Sequence, residues 1–315
     1  MTPPLRRWLI SLLKLALALV ILFFVFRLFQ GDLPRLGEVD WKPGWILLSI
    51  ALYLVALGFS CGFWMRLLVL FGQKPSVFGT LRAYYVGHLG KYVPGKAVSL
   101  LMRAGLTRGP GVSMGVAALT SLYEVLTTMA SGALVAALVF AMDPPTIKGM
   151  TLPPYVTGLL LLAVCGVPLL PGVFNRLVSR SARRFQSFGA LQVPPMQFSS
   201  LLQGLALTMC GWSLLGLSTW AGLNAVLTET LPLNATTWLR LSAITAMAWV
   251  GGFLFLFMPG GLGVREALLL ELLGSFDRPD GEIKIAIILM RVAWTSAELV
   301  MAAAVYWIRP RQAPG

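Results

Sequence analysis

Two Pro-Gly breaks interrupt stretches that are otherwise apolar or amphipathic. The first is Gly90-Lys91-Tyr92-Val93-Pro94-Gly95-Lys96, and the second is Met258-Pro259-Gly260-Gly261-Leu262-Gly263-Val264-Arg265-Glu266. Each stands beside arms too short to cross a bilayer comfortably, since an arm of about 10–13 residues rises roughly 15–20 Å, about to the midplane. Backbone that leaves a helix at membrane depth exposes N–H and C=O groups that lipid cannot satisfy. It must therefore sit inside protein or against water. One such break in each half of a chain is the pattern of a transporter site built from interrupted helices.

Composition sets the class. Hydrophobic residues make up 57% of the 315 and charged residues 12%, with a mean hydropathy of +0.79, whereas soluble domains carry roughly 25% charged residues. The chain reads as an all-α polytopic membrane protein, a single integral membrane domain over 1–315 with no long polar block. Cys61, Cys165 and Cys210 all lie in apolar runs at spacings that make no metal motif; they read as small buried hydrophobes. No metal and no cofactor is expected. The apolar run after Arg6 and Arg7 is about 20 residues, longer than the roughly 7–15 of a signal-peptide core, so it reads as the first span.

Six segments satisfy the length of a spanning helix: 8–29, 45–71, 111–142, 154–172, 199–227 and 283–308. Between them lie the two broken segments, 77–105 and 238–274, read as re-entrant helical hairpins. The plainer alternative is that 238–257 crosses fully and 262–274 crosses back. With a cytoplasmic N-terminus and two re-entrant hairpins, sixteen of the 25 Lys and Arg residues fall on the cytoplasmic side, and none of the 12 acidic residues does. That asymmetry follows the positive-inside rule and puts both termini in the cytoplasm. The net charge of +13 then reflects topology and anionic lipid headgroups. No soluble basic face with interleaved aromatics suggests nucleic acid. Each half, 1–150 and 151–315, holds three spans and one hairpin. An odd number of spans inverts the second half relative to the first, the logic of an inverted-topology repeat.

A charge at a helix centre costs about 2.5–3.5 kcal/mol on insertion scales, so ionisable residues inside spans are functional candidates by default. Glu124 lies in the third span, and Arg291 and Glu298 lie in the last, seven residues apart on one face. Arg291 and Glu298 are too far apart along the axis to pair directly, while Glu124 and Arg291 fall at similar depth and are expected to pair. Glu298 has no base in its own span within one turn and is the better proton-site candidate; a fixed structural salt bridge is the alternative. Around the first break, Arg82, His88, Lys91, Tyr92, Pro94, Gly95, Lys96 and Arg103 form a cluster suited to a phosphate, or else an ordinary positive-inside loop. Around the second, Pro259, Gly260, Gly261 and Gly263 precede Arg265 and Glu266 on a new helix, which bind a headgroup or cap that helix. Residues 173–188, with Arg176, Arg180, Arg183 and Arg184 among Phe174, Leu177, Phe185 and Phe188, read as a basic amphipathic anchor on the cytoplasmic surface.

The segment Tyr84–Lys96 resembles the "GKYIPGK" signature of the lysylphosphatidylglycerol synthase transmembrane family, also called the flippase-like domain family. Met258–Glu266 resembles its second signature, "PGGLGVRE". The resemblance implies movement of a phospholipid, or another lipid with an anionic headgroup, between leaflets. Family members with synthase activity carry a soluble aminoacyl-transfer domain after the membrane region. This chain stops at Gly315, so no enzymatic activity is expected. A membrane-embedded enzyme acting on a lipid phosphate, or a non-transporting partner in envelope biogenesis, are the alternative functions; the bilayer and a lipid substrate are the expected partners. The topology is directly testable. Cysteines introduced at Leu36 and Ala182 should be labelled by an impermeant reagent from opposite sides, position 36 from outside only.

Overall fold

The computed structural model describes residues 39–93, 97–107, 111–145, 153–184, 194–254 and 261–308. The expected first span, 8–29, lies outside these, as do Pro94, Gly95, Lys96, Pro259 and Gly260. Among the described residues the chain forms α1 (Pro43–Leu70), α2 (Val77–His88), α3 (Ala97–Thr107), α4 (Met114–Met142) and α5 (Pro154–Gly166), followed by α6 (Pro171–Arg184), α7 (Phe198–Asn224), α8 (Ala235–Leu254), α9 (Val264–Leu273) and α10 (Asp280–Trp307).

Four helices, α1, α4, α7 and α10, are long and apolar enough to cross a membrane. Each has 27–29 residues, about 40 Å of rise against a hydrocarbon core of about 30 Å. Their ends follow local chemistry. Pro43 opens α1 at a position where its missing N–H costs nothing. Ser76 caps α2, its Oγ accepting from the Gly79 N–H at 3.0 Å.

The span expected over 154–172 differs from the observed structure. The helix α5 stops at Gly166, a single 3-10 turn covers Val167–Leu169, and the chain restarts as α6 after a bend of 56°. Pro168 and Pro171 sit at the bend; neither can donate the hydrogen bond a continuous helix requires. Helix α6 carries the first part of the expected amphipathic stretch. Phe174 is buried edge-on against Tyr123, with centroids 4.7 Å apart, while Arg176, Leu177 and Arg180 are exposed.

The long helices cross in pairs held by small residues and hydroxyls. Helices α1 and α7 run antiparallel. At one end the Lys42 N–H donates to the Ala225 carbonyl at 3.1 Å; Ser49 and Ser218 each donate to the other's carbonyl, at 2.8 and 2.7 Å. At the other end Gly204 lies against the Phe63 ring. Helix α4 carries Gly132, on which the Trp212 indole of α7 rests, and that indole donates to the Thr128 carbonyl at 2.9 Å. In a membrane, close approach and interhelical hydrogen bonds substitute for the hydrophobic drive that lipid cannot provide.

The two broken segments each fold back on themselves. Between α2 and α3 the Ser99 hydroxyl donates to the Gly87 carbonyl at 2.8 Å. Gly90 sits so tightly that a Cβ there would lie 2.6 Å from the Ser99 Cα. The open end of this hairpin, at Ala83 and Ala104, shares one apolar cluster with Leu68 at the end of α1 and with Val112 and Ala117 beside the start of α4. Its tip reaches Thr295 and Glu298 within α10. Helices α8 and α9 fold together through Gly252 and Gly261; Gly261 has φ +69° and would carry a Cβ 3.2 Å from the Gly252 Cα. Only glycine meets both the backbone angle and the contact.

Helix α5 packs on α4 where Gly158 meets Ala137. A methyl added at Gly158 would stand 2.9 Å from the Ala137 backbone, whereas one added at Gly62 would meet nothing within 4 Å. Gly158→Ala should therefore lower the thermal unfolding midpoint in detergent, at a cost of about 1–3 kcal/mol, and Gly62→Ala should leave it unchanged.

Candidate functional site

The polar chemistry of the interior gathers around the tip of the first hairpin. Glu298 of α10 is 2% exposed. Its Oε1 receives Lys91 Nζ at 2.5 Å and the Tyr53 hydroxyl, and its Oε2 receives the Tyr92 hydroxyl at 2.9 Å. Tyr92 also contacts Thr295 Oγ1 at 3.0 Å. Four groups, Lys91, Tyr92, Tyr53 and His88 (Nε2 at 3.6 Å), thus converge on one carboxylate. The hairpin tip is fastened to α10 by charge-assisted hydrogen bonds, which are stronger than neutral ones.

A second buried pair joins the returning arm to α4. Arg103 Nη1 lies 2.6 Å from Glu124 Oε2, and Glu124 Oε1 accepts from the hydroxyls of Thr128 at 3.2 Å and Tyr84 at 3.3 Å. The Arg103 guanidinium also lies 3.9 Å from the centroid of the Tyr84 ring. This overturns the expectation that Glu124 pairs with Arg291. Depth alone suggested that pair, but Arg103 is delivered to the same depth by the fold-back of α3.

His88 stands between the two pairs. Its Nε2 is 2.9 Å from Lys91 Nζ, and its Nδ1 is 3.4 Å from Arg103 Nη2. A neutral imidazole has one acceptor nitrogen and one donor, so it can accept from Lys91 or from Arg103 but not from both. Glu124, Arg103, His88, Lys91 and Glu298 form one continuous polar chain from α4 to α10.

The second hairpin brings Arg265 and Glu266 to the same region. Glu266 Oε2 accepts from the Gly263 N–H at 2.7 Å, closing the first turn of α9. Its Oε1 lies 3.2 Å from Arg291 Nη1, although the angle there forms no hydrogen bond. Arg291 in turn lies 5.9 Å from the Tyr92 ring centroid. The Arg265 guanidinium lies over Trp249, 3.1 Å from its centroid, and 5.2 Å from that of Trp294. Gly263, at φ +83°, faces open space and serves the turn.

Between the hairpins lies a cavity of about 400 Å³. His88, Lys91, Arg103, Glu124 and Arg265 line its polar part; Leu57, Leu100, Leu122, Met129, Leu215 and Phe253 line its apolar part. Arg82 is not in this group; it lies 4.7 Å from the Tyr306 ring centroid near the end of α10. Tyr53, Tyr84, Trp249 and Trp294, which sequence reasoning missed, do belong to the site. Aromatics inside apolar helices carry no signal separating them from core; only a nearby intramembrane carboxylate hints that a hydroxyl will be needed.

These features define a polytopic all-α membrane protein with ion pairs and a cavity in its interior. The chain matches the family described as the lysylphosphatidylglycerol synthase TM region over residues 11–297 and belongs to that family. It is a membrane-embedded protein with a lipid-related role, and the part of the synthase that it matches is the membrane region. No curated protein and no solved structure matches it.

The pairing can be tested by a double-mutant cycle. Glu124→Gln leaves the Arg103 charge buried and uncompensated and should cost about 3–5 kcal/mol of stability. The exchange Glu124→Arg with Arg103→Glu should recover part of that, while Glu124 and Arg291 should show no coupling beyond about 0.5 kcal/mol.

Proposed function

We propose that this protein moves a phospholipid, or another lipid with an anionic headgroup, between the leaflets of a bacterial inner membrane. The observation that carries this reading is the cavity of about 400 Å³ between the hairpins, charged at one part of its wall and apolar at the other. A lipid crossing a bilayer must shelter its headgroup from hydrocarbon while its chains stay in it, and a cavity with both kinds of wall meets that need.

The packing supports a reading of the two halves as an inverted repeat. Helix α4 packs on the second hairpin's long arm, α8, as α10 packs on the first hairpin's arm, α2; α1 and α7 form the central contact. Among α1, α4, α7, α10 and the two hairpins, exchanging α1 with α7, one hairpin with the other and α4 with α10 returns the same helix pairs. In such a repeat, opening toward one leaflet closes the other. Both hairpins are read here as re-entrant, with both termini cytoplasmic. The site residues around the breaks are assigned to the headgroup, with Lys91 and Glu298 fastening the first tip.

The test is reconstitution into liposomes with a fluorescent phospholipid and an impermeant quencher. Protein-dependent loss of inner-leaflet fluorescence is expected. Lys91→Ala and Gly261→Leu should each slow it by about tenfold or more, equivalent to roughly 1.4 kcal/mol of barrier, in protein that still inserts. A rate equal to that of protein-free vesicles would overturn the reading.

A further inference from the structure

We propose that Glu298 exchanges Lys91 for a proton: when Lys91 leaves the carboxylate for an anion in the cavity, Glu298 takes up one proton, so that each anion loaded brings a proton with it. The identity of that anion as a lipid headgroup rests on the translocation reading; the exchange at Glu298 does not.

The argument starts from position. Lys91 lines the cavity, and Glu298 lies behind it. The lysine side chain is 24% exposed and the carboxylate 3%, with Nζ and Oε1 2.5 Å apart. The ammonium thus stands between open space and a buried acid, and an anion in the cavity meets Lys91 first. Lysine carries its charge on a flexible four-carbon stem, and turning that stem toward the cavity separates the pair. Glu298 is then a buried carboxylate that has lost its cation, which is costly. Accepting a proton removes the charge and with it most of the cost.

The other groups around the acid do not replace Lys91. Tyr53 of α1 and Tyr92 of the tip donate hydroxyl hydrogens to it but bring no positive charge. Arg291, on α10 itself, stands beside Glu266 of α9. Arg265 of α9 is held over the rings of Trp249 and Trp294. Arg103 of α3 is taken by Glu124 of α4. His88 of α2 comes closest, with Nε2 3.6 Å from Oε1. Its Nδ1 faces Arg103 at 3.4 Å, so a charged ring would set two cations side by side. Helix α7, which also touches α10, carries no Asp, Glu, Lys, Arg, His or Tyr.

The exchange is balanced. Lys91 keeps its ammonium protons and moves, and the proton on Glu298 comes from water in the cavity, through the space Lys91 leaves. One negative charge enters with the anion and one positive charge with the proton. The net charge of the interior is therefore unchanged whatever fixed charges surround it, Lys96 included. By linkage, acid favours anion binding as much as anion binding favours proton uptake, and release of both at the far leaflet makes a proton gradient a driving force for the movement.

The experiment is infrared difference spectroscopy of the full chain in maltoside micelles, which contain no carbonyl group, between about pH 8 and about pH 5, where ordinary exposed carboxylates stay mostly ionised. Wild type should gain no band from a buried protonated carboxyl. Lys91→Gln should gain one, the added change Glu298→Gln should remove it, and Lys91→Arg, which keeps a cation at the tip, should behave as wild type. No band in Lys91→Gln overturns the proposal, whether Lys96 has replaced Lys91 or the His88 ring has taken the proton. A second measurement needs no variant to fold. Phosphatidylglycerol is added to lipid-free wild-type protein in weak buffer, and uptake of about one proton per lipid bound is expected. Binding without proton uptake overturns the coupling. Failure of this lipid to bind counts against the translocation reading, and the spectra still decide the exchange. The band and the proton uptake without translocation in liposomes would remove the transport reading and leave this one standing. Translocation without proton uptake would do the reverse.

Discussion

The carboxylate of Glu298 is the point on which the interior depends. A hairpin tip buried inside a helical bundle brings its least satisfied backbone and its basic side chains to a place where water is scarce. Here the tip is secured by Lys91, Tyr92 and Tyr53 on one acid of α10. Without that acid, Lys91 would have no carboxylate within ion-pair distance among the described residues, and the tip would lose its strongest attachment to the last helix. The cost of burying Glu298 in an apolar helix and the cost of drawing Lys91 out of water beside it are each high, and the two offset one another.

Packing and electrostatics are joined in the same few turns. The contact of Gly90 with the Ser99 backbone brings α3 close enough to α2 for Arg103 to meet Glu124 on α4 and Tyr84 on its own hairpin. The Gly252–Gly261 contact likewise sets the start of α9, from which Arg265 reaches the ring of Trp249. Small residues decide where the backbones run, and the backbones decide which charges meet.

The sequence made the long helices legible because an apolar run of some 20 residues in membrane has few alternatives. It also made the breaks legible, since Pro-Gly within such a run has a narrow meaning. Apolar length over 154–172 suggested one span, while Pro168 and Pro171 held the information that the helix would bend. At the site, Glu124, Arg291 and Glu298 stood out because charge is rare in spans, but their partners did not. Arg103 and Lys91 are brought to their acids by the reversal of the hairpin, a long-range event with no local signature. Arg82, close in sequence to His88, was grouped with the cluster, but nearly two helical turns separate them, and the structure places it by Tyr306.

The position of His88 has one more consequence. An imidazole held between two cations can satisfy one of them at a time, and moving the ring proton from one nitrogen to the other changes which. If Lys91 swings away toward an arriving anion, the ring need not be left with an idle nitrogen, because the other tautomer turns its lone pair to Arg103. The lysine's departure from the ring and the arginine's gain are two ends of one proton relocation. The cluster can therefore pass between two arrangements with the same number of hydrogen bonds to the imidazole.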